Sequence, residues 1–167
     1  GILNYIYMLA NLVDAKDEGA KLLRQLEAKI EDAQNFAKTL KIKPKVYFEE
    51  WDDPQISAIQ WVSELIELCG GIEINKSVAR GNLAKDRFVT HEQVIAKDPD
   101  IIFGCWCGKK VKIDTIKKRA NYDKIKAIKN NQVFELAPEI FLQPGPAPIL
   151  DGIDILMGYF KNFEQER

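Results

Sequence analysis

A three-residue apolar run at positions 101–103, Ile-Ile-Phe, constrains the fold more than any other segment. The turn signal Asp-Pro-Asp at 98–100 precedes the run, and Gly104 ends it. A short apolar run between residues that break helices is typical of a strand buried on both faces of a parallel sheet. Parallel strands need long crossover connections, so we expect helices on both faces of that sheet.

Two further strands and a series of amphipathic helices are predicted around this run. The strands cover residues 45–49 and 132–136. Because strands and helices alternate, we predict parallel βαβ units and a three-layer, Rossmann-like α/β lobe with a mainly parallel sheet at residues 41–167. The predicted helices cover residues 4–13, 15–40, 54–68, 90–97, 113–120, 122–129 and 149–163.

Residues 15–40 predict a long amphipathic helix, with an apolar stripe on one face and charged residues on the other. At about 1.5 Å per residue, such a helix is about 35–40 Å long, which is about the width of a small domain. It is either a backbone helix that extends beyond one domain or a long surface helix. The residues alone leave both interpretations open.

End signals mark several of the predicted elements. Asp53 is predicted to cap the helix at 54–68, with Pro54 in its first turn. Thr90 and Gln93 have the spacing of a capping box. Residues 137–148 hold four prolines and one glycine, a composition that predicts a shaped loop.

Length and charge exclude several classes of function. The chain has 167 residues, enough for one domain with its own core, and a net charge of −1 at pH 7. That balance gives no electrostatic case for binding nucleic acid or an anionic membrane surface. No apolar run approaches the roughly 20 residues of a membrane-spanning helix. We therefore expect a single domain without a nucleic-acid partner.

Catalytic motifs are not supported by the sequence. Residues 104–109 fall one residue short of a phosphate-binding loop, and Lys110 stands where that loop needs serine or threonine. His91 is the one histidine, and its place in the first turn of a predicted helix suits a solvated structural role. We predict that the chain is not an enzyme, and that it has no resident cofactor and no metal site.

The three cysteines leave one alternative open. Cys69 is predicted to be buried near a helix end. Cys105 and Cys107 alternate at the end of a strand, so both are expected to point to the same side. The alternative function is therefore a small α/β enzyme, or a redox or cofactor-handling domain, that uses these two thiols. A lowered thiol pKa would favour it.

Aromatic and polar residues follow all three predicted strands. In open α/β sheets, ligands bind beyond the carboxyl ends of the strands, so these residues could line one cleft. Each has a plain structural alternative, such as packing for a tryptophan or loop hydrogen bonding for a glutamine. The candidate ligand-binding residues are Trp51, Arg80, Trp106, Glu139, Phe141 and Gln143.

Five segments occur in an order and spacing that is specific to one family. They are Val-Tyr-Phe-Glu-Glu-Trp (46–51), Glu-Leu-Cys-Gly-Gly (67–71), Val-Thr-His-Glu-Gln-Val (89–94), Asp-Pro-Asp-Ile-Ile-Phe-Gly (98–104) and Gln-Pro-Gly-Pro (143–146). Together they resemble the C-terminal lobe of the substrate-binding proteins of ABC importers for cobalamin, iron–siderophores and haem. Residues 1–40 resemble the helices that lead into that lobe, including the rigid backbone helix that joins the family's two lobes.

The resemblance implies a binding protein whose ligand is one metal chelate: a corrinoid, a ferric siderophore or haem. It also implies that the family's N-terminal lobe is absent here, so that this chain would carry one wall of the cleft. By position, Trp51, Glu139 and Gln143 match ligand-facing residues of that wall, although an arginine often stands where Gln143 does. Trp106 and Arg80 are candidates by location only.

The resemblance further implies partners and a location. Glu92 aligns with the surface glutamate that docks onto an arginine of the membrane permease, although the helix dipole alone also favours an acid there. The expected location is the periplasm or the extracellular face of the cell membrane. The apolar edge left by the missing lobe would let two copies associate, so a homodimer is a further expectation.

Overall fold

Five strands form one mixed sheet in the computed structural model, which describes residues 1–166. They are β1 (Lys45–Asp52), β2 (Gln55–Ser57), β3 (Ile72–Glu73), β4 (Ile101–Gly104) and β5 (Val133–Glu135). The order across the sheet is β2-β1-β4-β5, and β3 lies beside the first residues of β1. Only the pairing of β1 with β2 is antiparallel among these strands. The mainly parallel sheet expected from the sequence is confirmed.

The helices of residues 1–166 lie on both faces of this sheet. Among them, no helix combines the length and the apolar character that crossing a bilayer requires. Helical turns of other types occur at Ala84–Arg87, Tyr122–Lys124 and Pro148–Gly152. The α-helices are α1 (Ile2–Leu12), α2 (Lys16–Thr39), α3 (Gln60–Leu68), α4 (His91–Lys97), α5 (Ile113–Lys117), α6 (Lys126–Lys129), α7 (Pro138–Phe141) and α8 (Ile153–Gln165).

Two apolar cores, one on each face of the sheet, explain the continuous apolar run of β4. Ile101 and Phe103 belong to the core shared with α2, α3 and α8, whereas Ile102 belongs to the core shared with α4, α5 and α6. All three side chains are fully buried. Burying a side chain of this size contributes about 1.5–3 kcal/mol, so both faces of the strand have to be apolar. The three-layer architecture is confirmed.

The predicted helix start at Asp53 and Pro54 is wrong. These two residues form the turn between β1 and β2, their peptide bond is cis, and α3 begins only at Gln60. The side chain of Gln55, next in the chain, is buried and donates hydrogen bonds to residues inside the domain. Pairing with β1 and this burial outweigh the local capping signal, because local propensities are weak beside tertiary contacts.

The long helix predicted at 15–40 is observed as α2, which has 24 residues. Leu26 and Ala33 of α2 are fully buried in the core that also holds α3 and α8. Lys29 of α2 pairs with Asp154 of α8 at 2.6 Å. The role of α2 as a helix that joins two lobes stays a prediction.

Local end signals are confirmed at α4 and only partly confirmed after β5. The Thr90 side chain accepts a hydrogen bond from the Gln93 backbone at 3.3 Å, and the Gln93 side chain accepts one from the Thr90 backbone at 2.9 Å. The segment 137–148 is not a loop throughout, because Pro138 begins the short helix α7. Proline is well tolerated there, since the first helical residue has no intrahelical partner for an N–H group.

Candidate ligand-binding site

The carboxyl ends of β1, β4 and β5 lie side by side, and we call this part of the sheet the carboxyl edge. The register places Glu49 of β1 beside Gly104 of β4, and Gly104 beside Glu135 of β5. The chain continues from these strand ends into the segments 53–54, 105–112 and 136–137. The three strand ends therefore meet as expected, at the edge of an open parallel sheet where ligands bind.

A lysine ammonium lies between two tryptophans at the carboxyl edge. Nζ of Lys109 is 4.0 Å from the ring centre of Trp51 and 4.9 Å from that of Trp106. The same nitrogen is 2.5 Å from Oδ1 of Asp52. Both ring distances are within the range of cation–π attraction. We call these four residues the Trp51 cluster.

Hydrogen bonds fix the members of the Trp51 cluster that belong to β1. Burial by itself would raise the pKa of Asp52, but the hydrogen bond and the positive charge of Lys109 outweigh it, and the pKa lies below its ordinary value. The indole N–H of Trp51 donates to the carbonyl of Asp53 at 3.1 Å. Trp51 is half-buried.

The other tryptophan, Trp106, is not a surface residue, and its prediction as a ligand contact is wrong for this structure. Its side chain is 1% exposed. Its indole N–H donates to Oε1 of Glu49 at 3.2 Å, and it packs in the core that contains Tyr47 and Ile102. The packing alternative applies, because Trp106 covers the end of the sheet.

A buried network of polar side chains that sequence reasoning missed supports the carboxyl edge. Arg119 donates two hydrogen bonds to Glu49, at 2.5 and 2.8 Å. Glu49 is fully buried and also accepts hydrogen bonds from Tyr47 at 3.1 Å and from Gln55 at 3.0 Å. Gln55 donates a further hydrogen bond to the hydroxyl of Tyr122 at 2.9 Å. We call these five residues the buried polar cluster.

The two charged side chains of the buried polar cluster, Glu49 and Arg119, form an ion pair. Burial, together with the neighbouring charge of Glu49, raises the pKa of Tyr47 well above its ordinary value. Burial alone would lower the pKa of Arg119, but the hydrogen bonds and the charge of Glu49 raise it above its ordinary value. A buried ion pair needs such hydrogen bonds to offset its desolvation. The cluster therefore positions its neighbours, Trp106 among them.

A second ion pair fixes the segment that precedes α4. Arg87 donates hydrogen bonds to Glu50 at 2.5 and 3.0 Å and to the carbonyl of Ser57 at 2.7 Å. Arg87 is 3% exposed, whereas the adjacent Phe88 is 46% exposed and is held beside β2 by a backbone bridge to Ile56. Phe88 is thus an exposed aromatic side chain that the sequence-based site residues did not include.

A depression of about 580 Å³ is lined by residues of the carboxyl edge. Glu139 lines it together with Lys109, Lys110 and Glu135. Glu139 is exposed, as a residue that faces a ligand has to be. Because both acidic and basic side chains line the depression, neither sign of charge dominates there.

Three other predicted residues lie elsewhere. Phe141 is fully buried and its ring centre is 6.3 Å from that of Phe48, so its prediction as a ligand contact is wrong. Arg80 is exposed and lines a different depression, of about 640 Å³, beside α3, so the structure does not bring it to the Trp51 cluster. Gln143 is exposed in the loop after α7, and its role stays a prediction.

The structure does not have the arrangement of Cys105 and Cys107 that the alternative function, an enzyme or redox domain using both thiols, was expected to use. Cys105 is buried and Cys107 is exposed, so the expectation that both point to one side is wrong. The reason is that β4 ends at Gly104 and the alternation of a strand does not continue into the turn. Burial raises the pKa of Cys105 well above its ordinary value, the opposite of what a reactive thiol needs. Cys69 is buried as predicted, and burial raises its pKa to about 12.

Glu92 is exposed in the first turn of α4. Hydrogen bonds from its own backbone N–H and from the side chain of Thr90 lower the pKa of Glu92. The carboxylate is therefore charged at neutral pH and open to a partner. Among residues 1–166, no group of three or more His, Cys, Asp or Glu side chains is arranged to hold a metal ion.

A further cavity, of about 740 Å³, lies away from the carboxyl edge. It is lined by residues of α1 and α3 and of the loop before α8, Ile2, Trp61 and Ile149 among them. The outer side of α1 is also apolar and open: Met8 is 66% exposed and Leu12 is 83% exposed. No residue of the Trp51 cluster lines this cavity.

Comparison with protein families identifies the fold. A family model described as periplasmic binding protein matches residues 1–140. The chain belongs to the periplasmic binding protein family. The matched residues include α1, α2 and the Trp51 cluster, so this family provides the context for the carboxyl edge.

A curated protein is similar to this chain over most of the chain's length. YvrC of Bacillus subtilis, an uncharacterized ABC transporter substrate-binding lipoprotein, is 24% identical over 157 residues. The match covers 90% of this chain and 47% of YvrC, so the chain spans about half the length of that relative.

Two solved structures have a fold similar to that of this chain. The periplasmic haem-binding protein RhuT from Roseiflexus sp. RS-1 superposes with a TM-score of 0.78 at 22% identity, covering 96% of this chain and 62% of RhuT. The periplasmic vitamin B12 binding protein BtuF of Vibrio cholerae superposes with a TM-score of 0.70 at 22% identity, covering 99% of this chain and 62% of BtuF. At this level of identity, the likeness establishes the architecture.

Proposed function

We propose that the chain forms one wall of the ligand cleft in the substrate-binding protein of an ABC importer. The proposed ligand is a metal chelate: a corrinoid, a ferric siderophore or haem. The observation that carries the proposal is the half-buried Trp51 at the carboxyl edge, next to a depression lined by Glu139. Large planar chelates bind well to aromatic walls that offer a few polar contacts.

Membership of the periplasmic binding protein family supports a binding role rather than a catalytic one. The description of YvrC supports an ABC importer as the system in question. RhuT binds haem and BtuF binds vitamin B12, and their folds support a large chelate as the class of ligand.

Each exposed side chain at the carboxyl edge has a task in this proposal. Trp51 provides an apolar face on which a planar ring stacks, which contributes about 1 kcal/mol beyond the burial of its area. Glu139 accepts hydrogen bonds from amide or hydroxyl groups at the ligand's rim. Trp106 and the buried polar cluster do not touch the ligand; they hold the end of β1 and the turn after β4 in place.

Docking and location follow from the same family. We infer that Glu92 meets a basic side chain of the membrane permease, since it is exposed and charged at the start of α4. Mutating a charge at the rim of such an interface changes the association rate and its salt dependence more than the equilibrium affinity. The protein would then work in the periplasm or on the extracellular face of the membrane.

Equilibrium dialysis with haemin, cyanocobalamin and ferrichrome tests the proposal. The chain is compared with Trp51→Ala and with the control Trp61→Phe, because Trp61 lines the cavity beside α1 and not the carboxyl edge. We expect saturable binding of one of the three compounds, weakened about tenfold by Trp51→Ala and unchanged by Trp61→Phe. Equal affinity of all three proteins, or binding of none of the compounds, would contradict the proposal.

The expected homodimer stays a prediction, and we propose the end of α1 as the surface through which two copies would associate. Leu12 and Val13 at the end of α1 are 83% and 68% exposed. Apolar side chains grouped in this way favour association. Static light scattering over a range of protein concentrations would show a mass that rises toward twice that of the chain, and Leu12→Glu would suppress the rise.

A further inference from the structure

The turn between β4 and α5 places a charged side chain on the face of Trp51 that a ligand would use. Residues 107–110 are all exposed, whereas Trp106 before them and Val111 after them are buried. The backbone N–H of Val111 donates to Glu135 at 2.9 Å. The turn is thus a short exposed segment, fixed at both ends.

The side-chain ammonium of Lys109, in this turn, contacts the other three residues of the Trp51 cluster. Its ammonium lies 4.0 Å from the ring centre of Trp51, and a ring stacked on that face would have to occupy the same space. The remaining contacts of the ammonium are Trp106, at 4.9 Å, and Asp52, at 2.5 Å. The preceding Gly108 has a φ of +76°, and a Cβ added to it would meet nothing within 4 Å. Packing therefore does not hold the turn at that point.

We propose that Lys109 is a removable cap on Trp51 that controls access to its ring, and that a planar ligand has to displace it to stack on this face. The part of the proposal that concerns the ligand rests on the proposed function. The part that concerns access to the ring does not, because the ammonium and the indole are both present in the free chain.

Displacing the cap has a moderate cost. The ammonium gives up one cation–π contact with Trp51 and the ion pair with Asp52. This ion pair is partly exposed, because the side chain of Lys109 is 39% exposed and that of Asp52 is 24% exposed. Contacts of these kinds are weak when solvent reaches them. We therefore expect that removing the cap strengthens binding of a planar ligand by about three- to tenfold.

The first measurement needs no ligand. The chain is labelled with 5-fluorotryptophan, which gives one ¹⁹F signal for each of its three tryptophans. Access of solvent to Trp51 is read from the change of its signal between H₂O and D₂O. We expect this change to grow in Lys109→Ala and to stay the same in the control Lys112→Ala, which removes an equal charge from an exposed residue that does not line the depression. No growth in Lys109→Ala would overturn the proposal.

The second measurement is equilibrium dialysis of the same variants with haemin. Tighter binding by Lys109→Ala than by the unchanged chain or by Lys112→Ala supports the cap. Weaker binding by Lys109→Ala would overturn the proposal, because Lys109 would then be a ligand contact. If solvent access to Trp51 grows in Lys109→Ala but haemin binds to none of the proteins, the cap is supported and the proposed haem ligand fails.

Discussion

Glu73 is a buried carboxyl group that should make the stability of this domain fall as pH rises. It lies on β3, its side chain is 2% exposed, and burial raises its pKa from 4.5 to about 7. A hydrogen bond from the backbone of Asn75, at 3.0 Å, and the charge of Lys97 oppose this rise without cancelling it.

The direction and the size of the effect follow from these two pKa values. Below pH 4.5 the folded and the unfolded chain both keep the proton on Glu73, so this group contributes no pH dependence to the unfolding free energy there. Between 4.5 and about 7 the unfolded chain releases the proton and the folded chain keeps it, so unfolding becomes easier. At about 1.4 kcal/mol for each pH unit, the loss of unfolding free energy reaches about 3 kcal/mol above pH 7.

Urea denaturation at pH 4, 6 and 8 measures this loss. We compare the chain with Glu73→Gln, which keeps the size of the side chain and cannot ionise, and with Glu31→Gln, an exposed position on α2 that removes the same charge. The unfolding free energy of Glu73→Gln minus that of the unchanged chain should increase by about 3 kcal/mol between pH 4 and pH 8. The same difference at pH 4 and pH 8, or an equal effect of Glu31→Gln, would refute the reasoning.

Three further predictions concern the core and the thiols. Arg119→Met removes the cation that is 2.5 Å from the fully buried Glu49, and should lower the unfolding free energy by about 3–5 kcal/mol in urea denaturation; a loss under about 1 kcal/mol would contradict a buried ion pair. Phe141→Ala should cost about 3–5 kcal/mol in the same assay, because the ring is fully buried, and a negligible cost would restore Phe141 as a surface residue. A maleimide at pH 7 should modify Cys107 and spare Cys105 in the folded chain, as seen by peptide mass spectrometry; equal modification of both would contradict the burial of Cys105.

The sheet and its carboxyl edge could be predicted because their signals are local. The apolar run at 101–103 has breakers on both sides, and it became β4, buried on both faces. Trp51 follows the predicted strand at 45–49, so the polarity of a parallel sheet was enough to put it at the carboxyl edge, where it lies in the last part of β1. Neither inference required knowledge of which side chains touch each other.

The buried polar cluster could not be predicted because its partners are distant in the chain. Glu49 and Arg119 are 70 residues apart, and no periodic pattern relates them. The one local sign was Glu49 directly after the apolar strand residues 46–48, and a glutamate there can equally begin the exposed end of a strand. Gln55 joins the same cluster, and its burial is what turned the predicted helix start at Asp53 into a hairpin.

The burial of loop aromatics was the second limit. Trp106 and Phe141 follow predicted strands just as Trp51 does, yet both are buried, at 1% and 0% exposure. An aromatic side chain after a strand either covers the end of the sheet or faces a ligand, and the choice depends on the neighbouring elements. For Trp106 the neighbour is Glu49, which accepts its indole hydrogen bond.

The most direct test of a ligand wall at the carboxyl edge is a map of amide chemical shifts in the ¹⁵N-labelled chain. The probes are gallium protoporphyrin IX, a diamagnetic substitute for haemin, and cyanocobalamin. With one of them we predict saturable shifts at Trp51, Lys109 and Glu139, which lie at or beyond the carboxyl ends of β1, β4 and β5. Shifts confined to α1 and α3 around Trp61, or no shifts with either probe, would contradict the account.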